Sequence, residues 1–209
     1  MLFEFTIVAG LVAFAATQTP ELIIETNTGT VTGLINGTTP SVRQFLSIPF
    51  AQPPVDKFRW LPPQQLTTEP SHQIDATQYP PSCPQFLPAV PAVYNQDITS
   101  WAPYRYDQPA PAGASLQTSS EDCLYLAVWT STNATNTSSL PVLFFITGGA
   151  FLTNGVNVPI QIPNHWVQRT QSHVVVTINY RLNIFGSVLP PLSSMILADI
   201  IQAYSPNLV

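Results

Sequence analysis

Charge is scarce in this sequence. Only 8% of its 209 residues are Asp, Glu, Lys or Arg, against about a quarter in an ordinary globular domain. Lys57 is the single lysine, the arginines are scattered, and the net charge is −5. A basic patch interleaved with aromatics is therefore lacking, which argues against nucleic acid as a partner. Long apolar runs are lacking too. The longest, Phe5 to Ala16, is too short to span a bilayer. There is no internal repeat and no heptad pattern, so neither a solenoid nor a coiled coil is expected. Cysteine occurs only at Cys83 and Cys123, histidine only at His72, His165 and His173, and glycine only nine times.

Proline is abundant, at 22 residues, and Ser and Thr are frequent. Disordered chains share those features but lack apolar residues. Here 45% of the residues are hydrophobic, so a globular chain with long proline-rich loops is expected. Residues 1–16 read as a signal peptide, with small residues at Ala13 and Ala15 for cleavage. Glu4 stands where a positive charge is usual, and a buried N-terminal helix is the alternative. A secretory route favours joining Cys83 to Cys123, against the alternative of two buried free thiols. Asn36, Asn133 and Asn136 each begin an Asn-x-Ser/Thr sequon. The last two lie three residues apart in a polar run, so simultaneous occupancy is not expected.

Regular structure is legible in two blocks. Glu21–Asn27 and Thr30–Ile35, separated by Thr28-Gly29, give a hairpin signal, and Val42–Ile48 a third strand. The stretch "PFAQPPVDKFRWLPPQ" reads as extended rather than helical. From Tyr79 to Gly113 prolines recur without periodicity, which reads as a long loop. Beyond it, Asp122–Thr130 alternates like a strand. "VLFFI", Val142–Ile146, is a continuous apolar run that reads as a strand buried on both faces. Asn164–Gln171 has helical spacing, and His173–Tyr180 reads as another buried strand. Strand, glycine turn, helix and strand make a βαβ unit, which predicts a parallel pairing.

Four segments in this order, "FLSIPFAQPPVDKFRWLPPQ", "SSEDCLYLAVWT", "LPVLFFITGGAFLTN" and "VVVTINYRLNIFG", resemble the type-B carboxylesterases, which include the cholinesterases and related fungal lipases. The resemblance spans roughly Glu21 to Gly186. It implies the N-terminal part of an α/β-hydrolase fold: antiparallel N-terminal strands leading into a mostly parallel sheet, here incomplete. The organisation expected is a signal peptide at 1–16, the carboxylesterase part at 17–186, and a divergent tail at 187–209. The family reaction is hydrolysis of small-molecule or lipid carboxylic esters by a Ser–His–acid triad, with no cofactor and no metal.

By this resemblance Gly148, Gly149 and Ala150 form the oxyanion loop, with the amides of Gly149 and Ala150 as donors. Thr147 departs from the His that relatives often carry there. Cys83 and Cys123 match the family's first disulfide. Arg59 and Glu121 match an ion pair pinning the N-terminal segment near it. Trp101 lies inside the disulfide-closed loop, but its spacing does not fit the cholinesterase cation-binding Trp, so packing is the expected role. No Gly-x-Ser-x-Gly elbow occurs, and all three histidines precede any position where the family's serine would fall. The triad is therefore absent from this sequence. Asp199, in the tail, has no histidine after it. The expectation is a truncated, secreted family member, inactive alone. Its "VLFFI" strand would be an apolar sheet edge prone to aggregation. A non-catalytic cholinesterase-like binding module is the alternative.

Overall fold

The computed structural model of the chain describes residues 21–67, 69, 71–85, 119–186 and 199. Two sheets organise them. The smaller has strand order β1-β2-β5, with β1 at Ile23–Thr26, β2 at Gly29–Thr32 and β5 at Gln73–Asp75. The expected hairpin is present: β1 and β2 pair antiparallel, Thr26 opposite Gly29. Gly29 sits at φ 141°, a conformation that only glycine adopts readily. The second hairpin segment is not one strand, however. It breaks at Gly33, and Leu34–Ile35 (β3) joins the other sheet.

The larger sheet has the order β3-β4-β6-β8-β7. Here β4 is Val42–Pro49, β6 is Tyr125–Ser131, β7 is Val142–Ile146 and β8 is Val174–Ile178. The β6 strand starts three residues later than the alternation predicts, because Asp122 to Leu124 lie outside the ladder. Helix α1, Asn164–Thr170, connects β7 to β8, and those two strands run parallel as the βαβ reading requires. The other three pairings of this sheet are antiparallel. This fits the expected incomplete α/β-hydrolase sheet: β3, β4 and β6 make the N-terminal antiparallel part, and β8 and β7 begin the parallel part. A single 3-10 turn, Asp56–Phe58, interrupts the proline-rich stretch that sequence reads as wholly extended.

The core lies on both faces of the larger sheet, because alternate residues of β6 and β8 point to opposite sides. One face gathers Phe50, Leu124, Leu126, Val176, Ile178 and the two cysteines. The other gathers Val42, Leu46, Ala127, Trp129, Val175 and Val167 of α1. Trp129, Phe50, Ile178 and Val167 are fully enclosed. The β7 strand is different. It is an edge strand among the described residues, and Val142, Leu143 and Ile146 are 55%, 39% and 43% exposed. The expectation that "VLFFI" is buried on both faces is therefore wrong: only Phe144 packs against the core. The expectation that the same run forms a sheet edge agrees with this topology.

The tail is tied back to this sheet at one point. Asp199 is fully buried and receives hydrogen bonds from Arg181 Nε at 3.0 Å, Arg181 Nη2 at 2.7 Å and the Arg181 backbone N–H at 3.1 Å. Burial pushes the Asp199 carboxyl up, against the pull of those Arg181 donors. Sequence reasoning weighed Asp199 only as a possible catalytic acid and missed this partner. Of the divergent tail at 187–209, only Asp199 falls within the described residues.

Candidate functional site

The glycine loop begins where β7 ends. In a parallel α/β sheet, that is the end of the strands outside which sites form. Thr147, the first residue past the strand, is buried. Its hydroxyl donates to Gln161 Oε1 at 2.7 Å, and its carbonyl accepts the Tyr180 hydroxyl at 2.7 Å. Burial pushes the Tyr180 phenol up, so it remains a donor across the neutral range. Thr147 thus fixes the root of the loop from two sides, although its identity departs from the family pattern.

The two glycines have unequal reasons to be glycine. At Gly149, φ is 121°, and an added Cβ would stand 2.2 Å from the Thr153 carbonyl oxygen. No other residue fits there. At Gly148 a Cβ would meet nothing within 4 Å, so the fold around it does not require glycine. The chain then continues through Ala150 at φ 53° and Phe151 at φ 60°, and later Asn154 at φ 87°. Left-handed backbone at a non-glycine residue costs roughly 1–2 kcal/mol, so strain is concentrated here. The Gly149 carbonyl accepts the N–H groups of Leu152 and Thr153, at 3.0 and 3.3 Å. The Gly148 carbonyl accepts Asn154 Nδ2 at 3.0 Å, and the Phe151 carbonyl accepts the Asn183 N–H at 2.7 Å. The carbonyls of Gly148, Gly149 and Phe151 are thereby engaged. Among the described residues, the N–H groups of Gly149 and Ala150 donate to nothing. That asymmetry leaves two free donors side by side at the sheet's C-terminal end.

The remaining candidates fall around this loop. Cys83 and Cys123 form a disulfide with a Cα–Cα distance of 5.0 Å, closing a separation of 40 residues. Arg59 meets Glu121 through two contacts, Nε to Oε2 at 2.5 Å and Nη2 to Oε1 at 2.9 Å. Arg59 is 40% exposed, so screening keeps the net effect of the pair small. Asn36, Asn133 and Asn136 are all exposed. Trp101 lies outside the described residues. The histidines are not gathered at the loop. His72 and His165 are exposed, and His173 packs on Trp166 with ring centroids 4.3 Å apart. His173 also precedes β8 at the end opposite the one that carries the loop. No group of three or more His, Cys, Asp or Glu residues that could hold a metal occurs among the described residues. No helix described there is long and apolar enough to cross a membrane.

Sequence reasoning missed a set of polar side chains that hold the loop from outside. Gln85 Oε1 accepts the Thr153 hydroxyl at 2.8 Å and the Asn154 N–H at 3.0 Å. Asn179, just past β8, accepts the Val156 N–H at 2.9 Å and donates to the Pro81 carbonyl at 3.1 Å. Asn183 Nδ2 donates to the Pro84 carbonyl at 2.9 Å. The segment entering the disulfide, the glycine loop and the end of β8 are thus joined through amide side chains. The only signal in sequence is the position of Asn179 directly after a buried strand.

A strand ending in a strained glycine loop, inside a βαβ unit, is consistent with the N-terminal part of an α/β-hydrolase fold, which the family match assigns. The sequence profile of the Carboxylesterase family matches residues 20–189. Chlorogenic acid esterase of Aspergillus niger is 38% identical over 79% of this chain, secreted lipase 5 of Gibberella zeae 32% over 81%, and carboxylesterase 1E of Rattus norvegicus 35% over 84%. Acetylcholinesterase of Bungarus fasciatus is 33% identical over 79% of the chain. The chain belongs to the type-B carboxylesterase and cholinesterase-like family. It spans about a third of the length of the first three relatives, covering 30%, 32% and 30% of them.

Proposed function

We propose that this chain supplies the acyl-oxygen-binding part of an active site that hydrolyses carboxylic esters. The observation that carries the reading is the pair of N–H groups at Gly149 and Ala150, which among the described residues donate to nothing. When a nucleophile adds to an ester carbonyl, negative charge builds on the carbonyl oxygen. Two fixed backbone donors stabilise that charge without having to reorganise, and one such donor is worth about 3–4 kcal/mol in a hydrolase. Glycine at 149 is what lets the chain pass against the Thr153 carbonyl, and positive φ at Gly149, Ala150 and Phe151 sets the turn that carries these amides.

The chemistry beyond this point needs a serine elbow, a histidine and an acid. The 209-residue sequence contains no Gly-x-Ser-x-Gly, and no hydrogen bond among the described residues joins a histidine to the loop. By this reading the 209 residues alone do not turn over an ester. Sequencing of the transcript and the genomic DNA beyond the Gly186 codon tests this reading. A frame encoding Gly-x-Ser-x-Gly some tens of residues on is expected, and its absence would overturn the ester-hydrolase reading of the whole protein.

The substrates are esters, of a small molecule or a lipid. The reading also places the protein on the secretory route, with residues 1–16 removed, the carboxylesterase part at 17–186 and a tail at 187–209. The disulfide suits an oxidising compartment. Exposed sequons at Asn36, Asn133 and Asn136 suit glycan attachment. A mass decrease of the secreted protein on treatment with peptide-N-glycosidase is the expected result.

A further inference from the structure

We propose that Gln85 is a positioning residue that latches the glycine loop in its amide-presenting shape. The inference rests on the acyl-oxygen reading of Gly149 and Ala150.

Gln85 lies two residues past Cys83, and its Nε2 donates back to the Cys83 carbonyl at 3.3 Å. That bond orients the side-chain amide, so Oε1 faces the loop. The single oxygen Oε1 then takes two donors from consecutive residues, the Thr153 hydroxyl at 2.8 Å and the Asn154 N–H at 3.0 Å. These are the residues on which the shape of Gly149 depends. The Thr153 N–H bonds the Gly149 carbonyl at 3.3 Å, the Asn154 side chain bonds the Gly148 carbonyl at 3.0 Å, and the Thr153 carbonyl oxygen occupies the space a Cβ at 149 would need.

Asn154 itself holds φ 87°, a strained conformation that persists only where its surroundings over-determine it. Inside the loop, Asn154 has one bond, from its own side chain. Gln85 adds two bonds from a segment 68 and 69 residues away in sequence. The nearby disulfide fixes the backbone at Cys83, so the latch is anchored to a rigid point rather than to a free loop. Without it, relaxation of Asn154 toward ordinary φ would withdraw its side-chain bond to the Gly148 carbonyl and shift the adjoining Thr153 bond to Gly149. The backbone that presents the Gly149 and Ala150 amides would then lose its support.

The role requires the acceptor Oε1 and, to aim it, the Nε2 donor. The test compares the full chain with its Gln85→Met and Gln85→Glu variants, reading amide hydrogen exchange at Asn154 and the amide chemical shifts of Gly149 and Ala150. Gln85→Met keeps the volume and removes the acceptor. It is expected to speed exchange at Asn154 by at least roughly tenfold and to move the Gly149 and Ala150 resonances. Gln85→Glu keeps the acceptor and loses the Nε2 donor to Cys83, and is expected to leave Asn154 exchange slower than in Gln85→Met but faster than in the parent. Exchange within β6 and β8 stays unchanged in both variants, which separates the latch from general loosening. If Gln85→Met fails to fold, Thr153→Val removes one of the two donors and is expected to move the Gly149 resonance in the same direction.

Wild-type protection at Asn154 in Gln85→Met, or in its absence an unmoved Gly149 resonance in Thr153→Val, overturns the proposal. So does exchange at Asn154 that is as fast in Gln85→Glu as in Gln85→Met. These readouts need no serine. Failure of the acyl-oxygen reading would appear separately, as a transcript without the serine elbow.

Discussion

The strands β7 and β8 have nearly the same sequence character and opposite surroundings. "VLFFI" and "VVVTI" are both five-residue apolar runs, paired parallel and in register, Ile146 opposite Ile178. Ile178 is 0% exposed and Ile146 43%. The β8 strand has β6 on one side and β7 on the other, with core packed on both faces. The β7 strand has β8 on one side and, among the described residues, nothing on the other. An apolar run therefore reports a strand that suits burial, whereas the neighbours decide whether burial occurs. The glycine loop grows from the exposed strand, yet its root and flanks are held by groups placed by the buried one: Tyr180, Asn179 and Asn183. The interior strand is the frame, and the edge strand carries the site.

The largest effect that would break this contrast lies at the end of β8. Asp199→Ala leaves the Arg181 guanidinium buried without its carboxylate, and breaking a buried pair costs about 3–5 kcal/mol. Chemical denaturation of the variant should register that loss, whereas a change under 1 kcal/mol would mean that the tail is not docked. Next comes the matched pair. Ile178→Ala is expected to cost about 2–5 kcal/mol, the range for emptying a well-packed site. Ile146→Ala, at the facing position, is expected to cost less than about 1 kcal/mol, in keeping with a half-exposed side chain. Equal losses at the two positions would remove the distinction between frame and edge.

A smaller change sharpens the edge itself. Leu143→Lys puts a charge on an exposed apolar strand and should leave stability within about 0.5 kcal/mol. Light scattering at rising concentration should show less self-association than in the parent, because edge charges oppose strand-to-strand pairing. The smallest effect concerns Tyr125, at the start of β6. Burial, aided by Asp122, pushes its phenol from 10.0 up to about 12. A folded-state value raised above the unfolded one means stability that is complete below about pH 10 and lost as pH rises toward 12. Tyr125→Phe should flatten that alkaline slope in pH-dependent denaturation; an unchanged slope would place its cause elsewhere.

Period-two alternation and apolar runs made β4, β6, β7 and β8 legible within a few residues, because those patterns follow directly from the pleat. Thr28-Gly29 gave the hairpin because a turn needs positive φ there. The four motifs gave the family, and with it the disulfide partners and the glycine loop. The exposure of β7 was not readable from its own residues, since it depends on a neighbour. Nor was the inequality of Gly148 and Gly149, which arises from the path of Thr153 and Asn154. Strand β5, three residues long, carries too little pattern to find. Gln85, Asn179 and the Arg181–Asp199 pair are single polar residues whose partners lie far away in sequence, so no local period marks them.

The central claim is that the chain carries the amide donors of an ester-hydrolysing site without the nucleophile they serve. Initial-rate hydrolysis of p-nitrophenyl butyrate by the purified 209-residue chain tests it most directly. The account predicts a rate indistinguishable from buffer. Saturable turnover by the parent that disappears in Gly149→Val would contradict it.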